Sequence, residues 1–395
     1  MQNKSLRILL FFAMLFIACK KENTVISNAD KFRVITEDGQ FKCTKDGGFS
    51  VFNSGSGVLT KYDSYGLISW KKSVASEVAG LNNFGFNAYT NTTDNGFAIL
   101  GTWEHALYDV EFELFLKLNS DGDVQHREVA DSIFHSGYNI YQDFIQSNQG
   151  NYFGLYENYS PGYSGLSTYN ASGKAEIWQC AQSDYTWYQQ SKMKPCADGG
   201  FYLLGIEFGV DLYRLTKEDS VGCYEWTTQV TMDGLGKLNH LYLTDLIPTS
   251  DGGCLVSGYT NTRLATYDFF LRKYNERGEV VFTKNFGTAY HDYCFSMLET
   301  RDGGVLMVGS SSSNPLSANQ TPDPTIDFNS SIYLLKLNNT YTIEWGRSIG
   351  THIGSAGILA NEDDDGIVIL AQQNSYGNLT IPQKMFIRID KNGQY

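Results

Sequence analysis

What this chain lacks narrows its chemistry before anything present is considered. It holds no Gly-x-Ser-x-Gly elbow, no phosphate-cradling glycine loop ending in Lys, and no His-Glu-x-x-His pair. Its seven Cys include no Cys-x-x-Cys spacing, so neither a zinc ribbon nor a dithiol redox motif has support. Positive charge is in deficit: 30 Lys and Arg stand against 43 Asp and Glu, a net charge of −13, and no basic run offsets it. A nucleic-acid backbone needs a Lys/Arg surface, so nucleic acid is excluded as a partner. The carboxylates are many, but spacing singles out no acid–base pair among them. No catalytic residue, cofactor or resident metal is expected on these grounds.

Long apolar runs are also missing. The longest, residues 8–18, is too short to span a bilayer comfortably, follows Lys4 and Arg7, and ends in Phe16-Ile17-Ala18-Cys19. It reads as the apolar region of a secretory signal. A Cys directly after a small residue resembles the lipobox of bacterial lipoproteins, with Phe16 where Leu is most usual. The resemblance implies a signal peptide over 1–18 and lipidation (palmitate-type acylation) of Cys19. Residues 19–29 are then a polar tether, membrane-attached through the N-terminal lipid. Lys20 and Lys21 argue against inner-membrane retention, so the expected address is the outer membrane of a bacterial envelope, with the leaflet open. Of the other six Cys, Cys254 and Cys294 sit in apolar strand patterns that suit buried free thiols, and no disulfide pairing can be deduced.

What the chain has in abundance is one corner. Asp-Gly-Gly or a close variant joins two apolar runs at Asp46, Asp94, Asn148, Asp198, Asp251, Asp302 and Asp364, in steps of 48, 54, 50, 53, 51 and 62 residues. Periods near fifty residues built of strand-like runs indicate propeller blades. In the sixth copy the runs fall at residues 293–300, 305–310, 331–337 and 342–349, four antiparallel strands joined by hairpins. A second turn, Asp or Asn then two residues then Gly, recurs at Asp63, Asn119, Asn170, Asp219, Asn275 and Asp390. The sixth copy has Asn338-Asn339-Thr340-Tyr341 instead. Just beyond it stands a large side chain: Trp70, His126, Trp178, Trp226, Phe282 and Trp345. A ring packed there between blades contributes about 3–5 kcal/mol against Ala.

The seventh copy runs out after its third strand, while residues 31–36 form a strand with no blade of their own. The expected fold is therefore all-β: a seven-bladed propeller of four-stranded antiparallel blades over 30–395, its ring closed by the N-terminal strand. Closure removes two sheet edges that invite aggregation.

The third-strand–turn–Trp unit, as in residues 59–70, resembles the tryptophan-docking repeat of quinoprotein-like propellers. The region as a whole resembles the seven-bladed propeller lipoproteins of Bacteroidetes-type bacteria. Quinoprotein dehydrogenases would add an adjacent Cys pair, which this chain does not have.

The stereotyped turns share one face, so a site is expected on the opposite face, where the loops differ between blades. Loop 311–330 is long and carries Pro315, Pro322 and Pro324. Tyr156, Tyr159 and Tyr163 in blade 3, and Trp103 and Tyr108 in blade 2, suit a sugar ring or a peptide if exposed, and blade-to-blade packing if not. His135, His240, His291 and His352 all precede innermost strands, with Asp292 beside one of them, and could meet a ligand near the channel mouth. The expectation is a monomeric, non-enzymatic envelope module that binds or scaffolds a protein or glycan. The alternative is an envelope enzyme, either a polysaccharide hydrolase or lyase or a degenerate quinoprotein, with its site at the channel mouth.

Overall fold

A computed structural model describes residues 32–81, 84–105, 110–130, 139–158, 163–176, 188–207, 212–231, 240–261, 266–312, 330–349, 355–363, 366–373 and 383–394. It contains seven antiparallel sheets, six of them built from consecutive strands in sequence order, and among the described residues one short 3₁₀ turn, Ala75–Val78. Blades 1 to 7 span 40–73, 85–130, 139–169, 188–230, 241–286, 292–349 and 355–389. Six have four strands, and blade 3 has three among the described residues. Blade 7 takes its fourth strand from the N-terminus: Phe32–Ile35 pairs antiparallel with Gln383–Ile389, Phe32 opposite Ile387. The ring closes as the sequence predicts.

Burial explains why the strand patterns differ along a blade. The second strand of blade 6, Val305–Ser312, is buried at every position because a neighbouring blade covers each face. The outermost strand of the same blade, Ile343–Ile349, is mostly exposed or half-buried. Apolar clusters fill all seven junctions, one per pair of blades. The last joins Phe49, Val51 and Tyr62 of blade 1 to Ile35, Val368, Leu370 and Phe386 of blade 7. Each fully buried Phe or Leu there contributes about 1.5–3 kcal/mol.

The corner motif is a structural lock. In blades 1, 4, 5 and 6 its first Gly has positive φ, and in blade 2 Asn95 takes that conformation. A Cβ on the second Gly would lie 2.1–2.2 Å from the last carbonyl of the third strand, as at Gly253 and Gly304. The corner Asp accepts the second Gly amide and, in six blades, an ion pair from the penultimate residue of the third strand. These pairs are Asp46–Lys61 (2.6 Å), Asp94–Lys117 (2.9 Å), Asp198–Lys217 (2.8 Å), Asp251–Lys273 (2.7 Å), Asp302–Lys336 (2.9 Å) and Asp363–Arg388 (2.7 Å). In the seventh blade the partner is Asp363, one residue before the position the spacing suggests. The cations are 3–5% exposed in blades 4 to 7, where an unpaired charge would be costly. In blade 3 the left-handed Gly150 aligns Gln149, one residue after the position the spacing suggests, with the corner Asp, and Thr168 stands for the Lys, so both charges are absent together.

The second turn is the dock for the outer-strand ring of the preceding blade. Trp70 lies against Gly122, His126 against Gly173, Trp226 against Gly278 and Trp345 against Gly393. Trp70 and Trp226 also donate their indole N–H to the turn, to Ser120 O (3.1 Å) and Glu276 O (2.8 Å). Where Tyr341 replaces the glycine, at φ 58°, the docking ring is the smaller Phe282, with centroids 5.0 Å apart.

Candidate functional site at the channel mouth

With the corner face committed to these locks, the opposite ends of the strands hold the less regular chemistry. Among the described residues, the largest aromatic assembly there lies in the wedge between blades 5 and 6. Tyr242 and Tyr259 are cross-strand partners on the first two strands of blade 5, Leu241–Pro248 and Cys254–Asn261. Their rings stack at 4.9 Å and 21°. His240, just before the first strand, continues the stack at 6.3 Å and 23° from Tyr242. Tyr267 and Tyr293 back it, stacked at 5.6 Å on each other and edge-on to Tyr259.

Exposure separates the working surface from the support. Tyr267 and Tyr293 are 4% and 3% exposed, whereas Tyr242 is 40% exposed and His240 is exposed. The amide of His240 donates to Asn261 Oδ1 at 2.8 Å, fixing the entry of the chain into the strand. Burial pushes the Tyr267 hydroxyl up to about 12, with Tyr242 hydrogen-bonded to it. The result is a shelf of two accessible, nearly parallel rings, His240 and Tyr242, on a rigid aromatic base.

Below the shelf the innermost strands carry a tier of charge. A β-bulge interrupts the innermost strand in blades 2 to 7. The first paired residue beyond it is Ala88, Asp143, Lys192, Asp245, Ser296 and Leu359 in turn. Asp143 accepts the Met193 amide of the next blade at 2.9 Å and pairs with Lys42 at 2.9 Å. Asp245 accepts the amides of Leu246 and Met297, both at 3.0 Å, and the Ser296 hydroxyl at 3.3 Å. Lys192 and Lys194 approach it at 3.9 and 3.8 Å. Burial opposes both carboxylates, but Lys42 at Asp143, Lys192 and Lys194 at Asp245, and the backbone amides hold them below their usual range. A cavity of about 260 Å³ lined by Gln40, Lys42, Ala88, Tyr89, Gln142, Asp143 and Phe144 opens on the blade 1–3 side.

The structure brings together only part of the set of residues that sequence reasoning selects. His240 is on the shelf. His291 is 1% exposed, its Nδ1 accepting the Tyr267 amide at 3.1 Å, so it belongs to the base. Asp292 is fully buried and accepts the Thr288 amide at 2.5 Å. Burial holds its carboxyl above the usual range despite hydrogen bonds from Ser311 and Thr288. Trp103 stacks on its cross-strand partner Phe112 at 4.7 Å, three blades from the shelf. Of the two readings open for Tyr156 the structure shows the packed one: it is 4% exposed and packs on Tyr141 because Gly165 leaves room for it. Tyr163 begins the third strand of blade 3. Cys19, Tyr108, His135, Tyr159, His352 and loop residues 313–329 lie outside the described residues.

Sequence reasoning missed Tyr242, Tyr259, the channel tier and a buried carboxylate, Glu113. Glu113 accepts hydrogen bonds from Tyr141, Ser167 (2.6 Å) and Tyr169 (2.5 Å) between blades 2 and 3. Of the cysteines, Cys196, Cys254 and Cys294 are buried free thiols, Cys43 is a half-buried one, and Cys223 is disulfide-bonded.

No family model matches this chain, and no curated protein matches it in sequence. Among solved structures it is similar to a catalytically inactive virginiamycin B lyase from Staphylococcus aureus bound to quinupristin. The TM-score is 0.50 at 7% identity, over 91% of this chain and 99% of that one. It is also similar to prolyl oligopeptidase B from Galerina marginata, with TM-score 0.47 and 10% identity over 92% of this chain and 52% of that one. A third is a protein of unknown function from Bacteroides caccae, with TM-score 0.41 and 13% identity over 76% and 93%. At 7% identity the likeness to the lyase establishes the β-propeller fold and nothing of its chemistry.

Proposed function

We propose that the chain is a non-enzymatic propeller of a bacterial envelope, lipid-anchored through Cys19 to the outer membrane, that binds a glycan at the mouth of its channel. The observation that carries this reading is the accessible, nearly parallel stack of His240 and Tyr242 on a buried aromatic base. A pyranose presents a flat face of C–H bonds that packs on such rings while its hydroxyls reach polar groups at the rim. The base holds the two surface rings in place before binding, which lowers the ordering cost of association. The bonded Cys223 and the lipobox resemblance both support an exported, oxidising setting. Lipid anchoring leaves the propeller body to act as the recognition module.

A glycan array probed with the full chain, in wild-type form and as Tyr242→Ala, tests the reading. Saccharide binding that falls at least about tenfold in the variant is expected, without product release. Turnover of the bound saccharide would favour the envelope-enzyme alternative. Binding unaffected by Tyr242→Ala, or captured only by a protein ligand, would remove the glycan reading.

A further inference from the structure

We infer that the saccharide bound at this mouth is an acidic one, its carboxylate received by Lys192 and Lys194 in the channel below the shelf. The inference rests on the proposed glycan reading and specifies its ligand class. Lys192 and Lys194 stand two residues apart on the innermost strand of blade 4, Tyr188–Pro195, so both side chains leave the strand on the same side. Each ammonium lies within ion-pair range of Asp245 but beyond hydrogen-bond range, at 3.9 and 3.8 Å. Asp245 is itself occupied by two backbone amides and a hydroxyl. Among the described residues neither lysine side chain donates a hydrogen bond, and both are nearly half exposed, at 45% and 44%.

The charge count of the tier points the same way. Lys42 is matched by Asp143 at 2.9 Å, while Lys192 and Lys194 share the single carboxylate of Asp245. Three ammoniums thus face two carboxylates inside a protein whose net charge is −13. A cleft in low-dielectric protein focuses such an excess and draws in an anion of complementary charge. Asp245 raises the affinity of Lys194 for its proton, which keeps that ammonium charged. Across the bulge Tyr242 and Asp245 pair with Tyr259 and Ser257, two residues apart on the next strand, so shelf and tier are separated by about 7 Å. A short oligosaccharide stacked on the shelf can therefore place a carboxylate on the tier. The amides of Gln40 and Gln142, which line the cavity with Lys42 and Asp143, offer partners for hydroxyls.

The test is calorimetric titration of the full, lipidated chain in detergent with oligogalacturonate, and with the same oligomer methyl-esterified to remove its charge. Wild type is expected to bind the acid form at least about tenfold more tightly, with a preference that shrinks as salt rises. Lys192→Met with Lys194→Met should abolish the preference while retaining ester binding, and Lys192→Arg with Lys194→Arg should restore it. Tyr242→Ala should weaken both ligands alike. Equal affinity of wild type for the two oligomers overturns the inference and leaves the glycan reading standing. So does a Met double variant that folds with the wild-type melting midpoint and keeps the preference. Binding of neutral glycans but of neither oligomer also overturns the inference alone. Absence of binding to any saccharide overturns the reading on which it rests.

Discussion

The junction between blades 5 and 6 tests the docking lock because both of its partners depart from the pattern. Phe282 stands where three other junctions have Trp among the described residues, and Tyr341, at φ 58°, stands where they have glycine. Phe282→Trp alone drives an indole into the Tyr341 ring, an overpacking that costs about 2 kcal/mol. Tyr341→Gly alone relieves a left-handed backbone, a gain of about 1 kcal/mol. It also removes an aromatic pair of about 1 kcal/mol and the contact of a half-buried ring, about 1 kcal/mol more. Its net loss is therefore about 1 kcal/mol. The double variant rebuilds the Trp-on-glycine dock of the Trp70, Trp226 and Trp345 junctions. It should stand within about 1 kcal/mol of wild type, a favourable coupling of about 2 kcal/mol. The assay is the urea midpoint of unfolding, compared at unchanged slope. Losses that add to within about 0.5 kcal/mol would refute the lock as a specific fit of two side chains.

Two further outcomes follow from the closure and the corners. Deleting residues 30–38 removes the outer strand of blade 7 and the contacts of Ile35 across the closure, so the melting midpoint should fall by several degrees. An unchanged midpoint would show that the ring does not depend on this strand. At Asp94, Asp251 and Asp302, burial raises the carboxyl pKa but is outweighed by hydrogen bonds from the partner Lys, a Thr hydroxyl and a Gly amide, leaving each pulled down to about 2. A folded value below the unfolded value of about 4 means stability fully present above that pH and lost as pH falls toward 2. Urea midpoints should therefore hold from neutral pH to about 5 and drop steeply below 4, and a flat profile to pH 2.5 would contradict the role given to the corner carboxylates.

The architecture was legible because its signals are local. Positive φ at Gly47 or Gly303, and the carbonyl pressed against Gly304, are demands that one short stretch makes on its own residues, so counting corners counted blades. The closing strand was legible for a related reason: residues 31–36 alternate like a strand, and the seventh copy stops one strand short. The ion pairs behind the corners were harder to see. Lys336, between Leu335 and Leu337, alternates with apolar neighbours and so looks like the wet face of a strand, although it is almost wholly buried. Only comparison between copies exposes it, because Gln149 and Thr168 lose both charges together in blade 3. A lone charge there would be left buried and unpaired.

The mouth was illegible for a geometric reason. Its rings come from both blades 5 and 6, and which strand face they share depends on bulges that no local pattern announces. One extra residue at Thr244 or Phe295 turns the rest of an innermost strand over. The same bulge explains how a ring of near-identical units acquires a direction. Position by position the blades repeat, yet the residue just past the bulge is Ala88, Asp143, Lys192, Asp245, Ser296 and Leu359 around the channel. Where every turn is bound to the same fold requirement, as at the corners, substitution is confined and the face is uniform. Past the bulge the backbone asks little of the side chain, so neighbouring blades can carry opposite charges at one level. That freedom concentrates the unlike chemistry of this propeller in the channel below His240 and Tyr242.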